Sequence, residues 1–232
     1  MKMKGIVLNG IKYKDNQDIV YLYTDTKGRS SCIFSHKKRR TKLSPLSLIE
    51  FEESSPQKAE LHYIKDVVLS PVLHDISTNV KKSAIAMFVG EFLYKVLKEE
   101  EANPPLFEYI SKYVRLLDML DEGIANFHLY FIVQISKYLG FSISTNTQSL
   151  NYFDIKLSKF AFIKPLHPQY FSEENTKILS NFLVIAPNQL PDIKLTGEQR
   201  LNFANSMIDF FSFRFDQRLN IKSLNVLHEI FL

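Results

Sequence analysis

From Ile85 to Leu97 the chain is apolar almost all round a helical projection. Ile85, Met87, Phe88, Val89, Phe92 and Leu93 are joined by Tyr94, Val96 and Leu97, and only Glu91 and Lys95 break the surface. A helix with so little polar surface is a buried one, so this stretch predicts the central helix of a helical region. Lys81-Lys82 before it and Glu99-Glu100-Glu101 after it leave it too short and too charged to span a membrane. Those charges also oppose the helix dipole, which assigns its stability to packing. Ser77 or Thr78 is the expected N-cap.

Upstream the period changes from 3.6 to 2. The segments 4–13, 18–24, 29–34, 46–53 and 61–70 are rich in β-branched and aromatic residues and read as five strands. Asp25-Thr26-Lys27-Gly28 joins the second and third as a hairpin, with Gly28 placed for a positive φ. Five short strands with no helical pattern between them predict a small closed barrel of the OB type; an SH3-like barrel fits the strand count equally well. The expected fold is therefore α+β. A five-stranded OB-type nucleic-acid-binding domain occupies 1–76 and an all-helical domain 77–232, with 72–78 as the link.

In the second part, 106–123 carries apolar residues on one helical face, and 124–140 is apolar on most sides and closed by Gly140. Asn151–Asp154 and Lys159–Phe162 read as extended segments. A short helix starts at Ser172, and Thr196-Gly197-Glu198-Gln199 has the spacing of a capping box opening a helix to about Phe215, with Phe203, Met207, Phe210 and Phe211 as its apolar stripe. The last turns run from Ser223.

Composition narrows the chemistry. A length of 232 residues at 45% hydrophobic content is ample for a packed core. The apolar run at 5–9 is too short for a signal peptide, so a cytoplasmic location is expected. The lone cysteine, Cys32, excludes an internal disulfide and a thiolate zinc site, and reads as an ordinary buried strand residue. No glycine-rich phosphate loop, G-x-S-x-G elbow or H-E-x-x-H helix occurs. His62, His74, His128 and His167 lie at no diagnostic spacing from an acid or nucleophile. His128 reads as a core histidine with one hydrogen-bond partner. A metal-binding nuclease built on Glu99–Glu101 with Asp118 and Asp121 is an alternative, weakened because consecutive helical acids point in different directions.

Net charge is +4, but it is unevenly spread. Residues 1–42 hold eleven Lys/Arg against three Asp/Glu, a net of +8, and the remainder eighteen against twenty-two, a net of −4. Lys37, Lys38, Arg39, Arg40 and Lys42 put five charges into six residues, which repel one another unless an anion bridges them. Arg29, Lys12 and Lys14 add to the set, and Tyr13, Tyr21, Tyr23 and Phe34 are candidate stacking surfaces. A basic groove with aromatics is how OB folds hold single strands, so nucleic acid is the expected partner rather than a membrane. An RNA-binding OB-fold protein with a helical interaction domain, and a purely structural interaction protein, are the alternatives.

Gly5-Ile6-Val7-Leu8, Tyr21–Thr24 with Gly28-Arg29, Ala86–Glu101, Asn126-Phe127-His128, Leu139-Gly140-Phe141 and Lys222-Ser223-Leu224 together make the chain resemble the RecO family of bacterial recombination mediators. The resemblance runs nearly end to end. It implies a non-enzymatic protein without cofactor or metal, acting in the cytoplasm on the nucleoid. Such a protein binds single- and double-stranded DNA and anneals complementary strands. It also binds the acidic, apolar C-terminal tail of single-stranded-DNA-binding protein (SSB), and with RecR helps load RecA, an indirect partner. The tail site implied here involves Lys112, Arg115 and Lys137. Some family members carry a cysteine zinc finger in the helical domain. This chain has no Cys after Cys32, so packing of Tyr152, Phe153, Phe160 and Phe162 is expected to hold 141–170 instead. The family's glycine before the basic loop is replaced by Ser35-His36.

Overall fold

The computed structural model describes residues 2–35, 43–54, 62–144 and 151–232. Strands β1 (Lys2–Lys14), β2 (Gln17–Thr24), β3 (Gly28–Ser35), β4 (Leu48–Ser54) and β5 (His62–Leu69) close a barrel in the order β1-β2-β3-β5-β4. All neighbours are antiparallel except β3 and β5, which pair in parallel from Cys32 opposite His62 to Phe34 opposite Ile64. A simple meander cannot make a parallel pair, and this closure selects the OB-type barrel over the SH3-like one. Inward positions of alternating strands supply the core, among them Val7, Leu22, Cys32, Phe34, Ile49 and Phe51. Gly28 closes the β2–β3 hairpin at φ 66°, and the Thr24 hydroxyl donates across it to the Gly28 carbonyl at 3.0 Å.

Three helices pack with the barrel in one compact unit, Met1–Met119: α1 (His74–Thr78), α2 (Val80–Val96) and α3 (Pro104–Met119). α2 is the buried helix the sequence predicts, with Ile85, Phe88, Phe92 and Leu93 inaccessible to solvent. It crosses β1 at Gly90, where an added Cβ would stand 2.7 Å from the Leu8 carbonyl oxygen. Two expectations shift. The N-cap is Asn79, whose side chain accepts from the Lys81 and Lys82 amides, because Ser77 and Thr78 already donate back into α1. The helix also stops at Val96, so Glu99–Glu101 lie beyond its dipole. Lys82, read from sequence as a helix-start charge, is buried. Its ammonium reaches Asp75 and the Asp118 carbonyl, both at 2.7 Å. Strand gives way to helix between Leu69 and His74, and α1 occupies most of the stretch 72–78 expected as a link. The compact units divide later, at Met119/Leu120, because α1–α3 pack in the barrel's unit.

The second unit, Leu120–Leu232, is built on α4 (Ile124–Ile135), with α5 (Glu173–Val184), α6 (Gly197–Arg214) and α7 (Ser223–Ile230) and a 3-10 turn at Pro187–Asp192. α4 ends at Ile135, short of the expected 140, and turns continue to Gly140 at φ 81°. Ser172 caps α5, and Thr196 with Gln199 forms the expected capping box on α6. The extended segments become a small sheet in the order β7-β6-β8, from β6 (Tyr152–Asp154), β7 (Lys159–Ala161) and β8 (Tyr170–Phe171). Phe160, Phe153 and Phe171 form a cross-strand row on one face, which packs on Phe210 and Phe203 of α6. Phe153 and Phe160 thus do the expected holding, whereas Phe162 is 67% exposed. His167, in the segment before β8, pairs with buried Asp154 of β6 at 3.1 Å, a contact that linear spacing does not reveal.

His128 is a core residue. Burial pushes its pKa down to about 3, the nearby Arg200 charge acts in the same direction, and a hydrogen bond to the Ala125 carbonyl opposes both. Between about pH 6.5 and 3 the unfolded chain binds this proton and the folded one does not, so acidification destabilises the fold. Stability is expected to fall through that window by up to about 1.4 kcal/mol per pH unit. Denaturant midpoints of wild type and His128→Leu measured at pH 6 and 5 check this: the variant should lose less on acidification, and equal slopes would refute it.

Candidate nucleic-acid interface

The β1–β2 hairpin is long for its barrel. β1 continues past its last β4 partner, Ile6, to Lys14, and the register sets Lys12 opposite Asp18 and Lys14 opposite Gln17. Lys12, Tyr13 and Lys14 are exposed there, with the Lys14 ammonium 5.1 Å from the Tyr13 ring centroid. Gln17 is in turn opposite Ser35, the last residue described before the basic stretch. One end of the barrel therefore gathers Lys12, Lys14 and the point from which 37–42 departs. Lys37, Lys38, Arg39, Arg40 and Lys42 themselves lie outside the described residues.

Arg29 occupies a different setting. Its Nη1 donates to the Leu97 and Tyr94 carbonyls at 3.0 and 3.3 Å, and its guanidinium lies 4.6 Å from the Tyr94 ring centroid. It satisfies carbonyls left open at the α2 C-terminus. Its backbone amide also donates to the Glu99 carbonyl at 2.9 Å. A groove of about 190 Å³ beside it is lined by Lys27, Ser31, Glu53, His62 and Glu100, and an ion pair joins Lys27 to Glu53. Its charge is mixed, as it is at the hairpin end, where Asp15 and Asp18 accompany Lys12 and Lys14.

The aromatics divide in the same way. Tyr23 stacks on Phe107 at 6.4 Å and is buried, which pushes its pKa up to about 12; Phe34 is buried as well. Tyr21 packs on Tyr94 at 4.8 Å. Tyr13, 46% exposed, is the most open of the four, Tyr21 being half-buried, and Tyr63 on β5, not singled out by the sequence, is exposed to the same degree at 45%.

On α3, Lys112 and Arg115 are exposed three positions apart and so share a face. Lys137 is exposed in the turns after α4, in the other unit. Burial first, with Glu53 adding and Lys27 opposing, raises the Cys32 thiol to about 12, which disfavours the thiolate. Among the described residues no group of three His, Cys, Asp or Glu is placed to hold a metal ion, and Asp118 is occupied in accepting from the Ile76 amide at 2.9 Å. No described helix is long and apolar enough to cross a membrane.

A family model described as "Recombination protein O C terminal" matches residues 77–220. DNA repair protein RecO of Flavobacterium johnsoniae is 32% identical over 238 residues, covering 100% of this chain and 99% of the relative. RecO of Phocaeicola vulgatus is 31% identical over 239 residues, and that of Azobacteroides pseudotrichonymphae 30% over 237, each covering 99% of this chain and 98% of the relative. With an OB-type barrel leading into a helical region that this family model matches, the chain belongs to the RecO family of DNA repair proteins.

Proposed function

We propose that this protein holds single- and double-stranded DNA on the hairpin end of its barrel and anneals complementary strands, and that with RecR it helps load RecA onto SSB-coated DNA. It does so in the cytoplasm, on the nucleoid, as a binding protein rather than an enzyme. The observation that carries this reading is the convergence of Lys12, Tyr13 and Lys14 with Ser35, which precedes the five cations of 37–42 in sequence by two residues. Neutralising phosphates on two strands lowers their mutual repulsion and releases counterions, which favours pairing without any bond-making step. Arg29 positions α2 against the barrel and is not counted among the phosphate ligands. The OB-type domain, 1–76, carries the nucleic acid, and the helical region, 77–232, takes partners. Lys112 and Arg115 on α3 offer positive charge to the acidic tail of SSB, and Lys137 offers it separately in the other unit.

The salt dependence of affinity tests the phosphate count. If the five cations of 37–42 each neutralise one phosphate, log affinity for a single strand falls with log salt at a slope of roughly −3.5. A fluorescence-anisotropy titration across salt concentrations measures it. A slope near zero would refute phosphate binding, and tighter binding to RNA than to DNA of the same sequence would reassign the substrate.

A further inference from the structure

The face of the β7-β6-β8 sheet opposite its phenylalanine row has no assigned role. On it Tyr152 and Tyr170 meet edge to face at 5.8 Å, and the Lys164 ammonium lies 5.5 Å from the Tyr170 ring centroid. Lys159 on β7 and Lys156 in the preceding turn are exposed, and just beyond β7 Phe162 is 67% and Ile163 78% exposed. The sole carboxylate between 151 and 171 is Asp154, 5% exposed and paired with His167. Every exposed charge on this stretch is therefore positive. Half-buried Tyr170 and exposed Phe162 interleaved with three lysines, with exposed Glu173 bordering the face where it accepts from the Tyr152 hydroxyl, fit a polyanion that has flat groups between its charges, as a single strand of nucleic acid has.

We propose that this sheet is a second single-strand-binding surface, separate from the barrel, on which Lys156, Lys159 and Lys164 meet phosphates while Phe162 and Tyr170 receive bases. The inference rests on the proposed function and deepens it. A protein that anneals must hold two like-charged strands, and a basic surface in the second unit gives the second strand a place other than the hairpin end.

Two non-complementary oligodeoxynucleotides, one bearing a donor and one an acceptor dye, report simultaneous holding by energy transfer. The variant Lys156→Ala/Lys159→Ala/Lys164→Ala removes only exposed side chains, and Phe162→Ala tests the base contact separately. For the triple variant, first-strand affinity is expected to stay within about twofold of wild type. Second-strand affinity is expected to fall tenfold to a hundredfold at about 0.1 M salt, its salt slope shrinking by about 2, as the loss of three phosphate contacts requires. Wild-type and variant proteins that hold two strands equally well would overturn the sheet's role and leave the proposed function standing. A variant that keeps both strands but loses binding to anionic phospholipid vesicles would overturn it in favour of a lipid surface. A wild type that holds no strand would overturn the proposed function itself.

Discussion

Replacing Phe210 with alanine is expected to cost about 3–5 kcal/mol. Phe210 is fully buried and packs on Phe211 at 5.3 Å, Phe153 at 5.8 Å and Phe141 at 6.4 Å, so it is the ring through which α6, the small sheet and the turn after Gly140 meet. Truncation loses the burial of the ring and leaves a cavity among other rings, whose flat shapes close over a void poorly. The sheet has no metal ligand set among the described residues to retain its register, so its loss should follow. The guanidinium midpoint followed by far-UV circular dichroism checks this, with Phe213→Ala, 43% exposed on the same helix, as the control expected to shift little. A Phe210→Ala loss below about 1 kcal/mol would show that the sheet is held by something else.

Gly90→Val sets two effects against each other. Helix propensity favours any replacement of a mid-helix glycine, by up to about 1 kcal/mol for alanine and less for a β-branched residue. Packing opposes it: the new Cβ would lie 2.7 Å from the Leu8 carbonyl oxygen and 2.9 Å from Pro45 Cβ. Neither is the free end of a flexible side chain, so α2 must lift from β1 to make room. Overpacking of this kind costs about 1–3 kcal/mol, and valine's branch places it at the upper end, so packing wins. The variant should unfold at lower denaturant than wild type; equal or higher stability would contradict the close crossing.

Much of this architecture was local and therefore legible. The two-residue period of five strands, Gly28 at a positive φ, the Thr196–Gln199 capping box and the all-round apolar surface of α2 each follow from a few neighbouring residues. What escaped the sequence was decided at long range. The parallel β3–β5 closure, the capture of Arg29 by carbonyls of α2, the burial of Lys82 between Asp75 and Asp118, and the His167–Asp154 pair all join residues whose separation carries no period. Asn79 took the cap expected of Ser77 or Thr78 because α1, five residues long, is too short to show a helical pattern and claims both hydroxyls. The candidate interface divides on the same line. Lys12 and Lys14 are exposed at a hairpin end as their strand pattern suggests, whereas Arg29 was indistinguishable from them by composition.

On the proposed function, the basic segment 37–42 binds DNA for strand annealing. The most direct test of this is annealing of two complementary DNA strands coated with single-stranded-DNA-binding protein. Wild type is compared with a variant carrying Lys37→Ala, Lys38→Ala, Arg39→Ala and Arg40→Ala, shown by circular dichroism to be folded. The account predicts that wild type anneals the strands and the variant does not; annealing at equal rates by both proteins, or by neither, would contradict it.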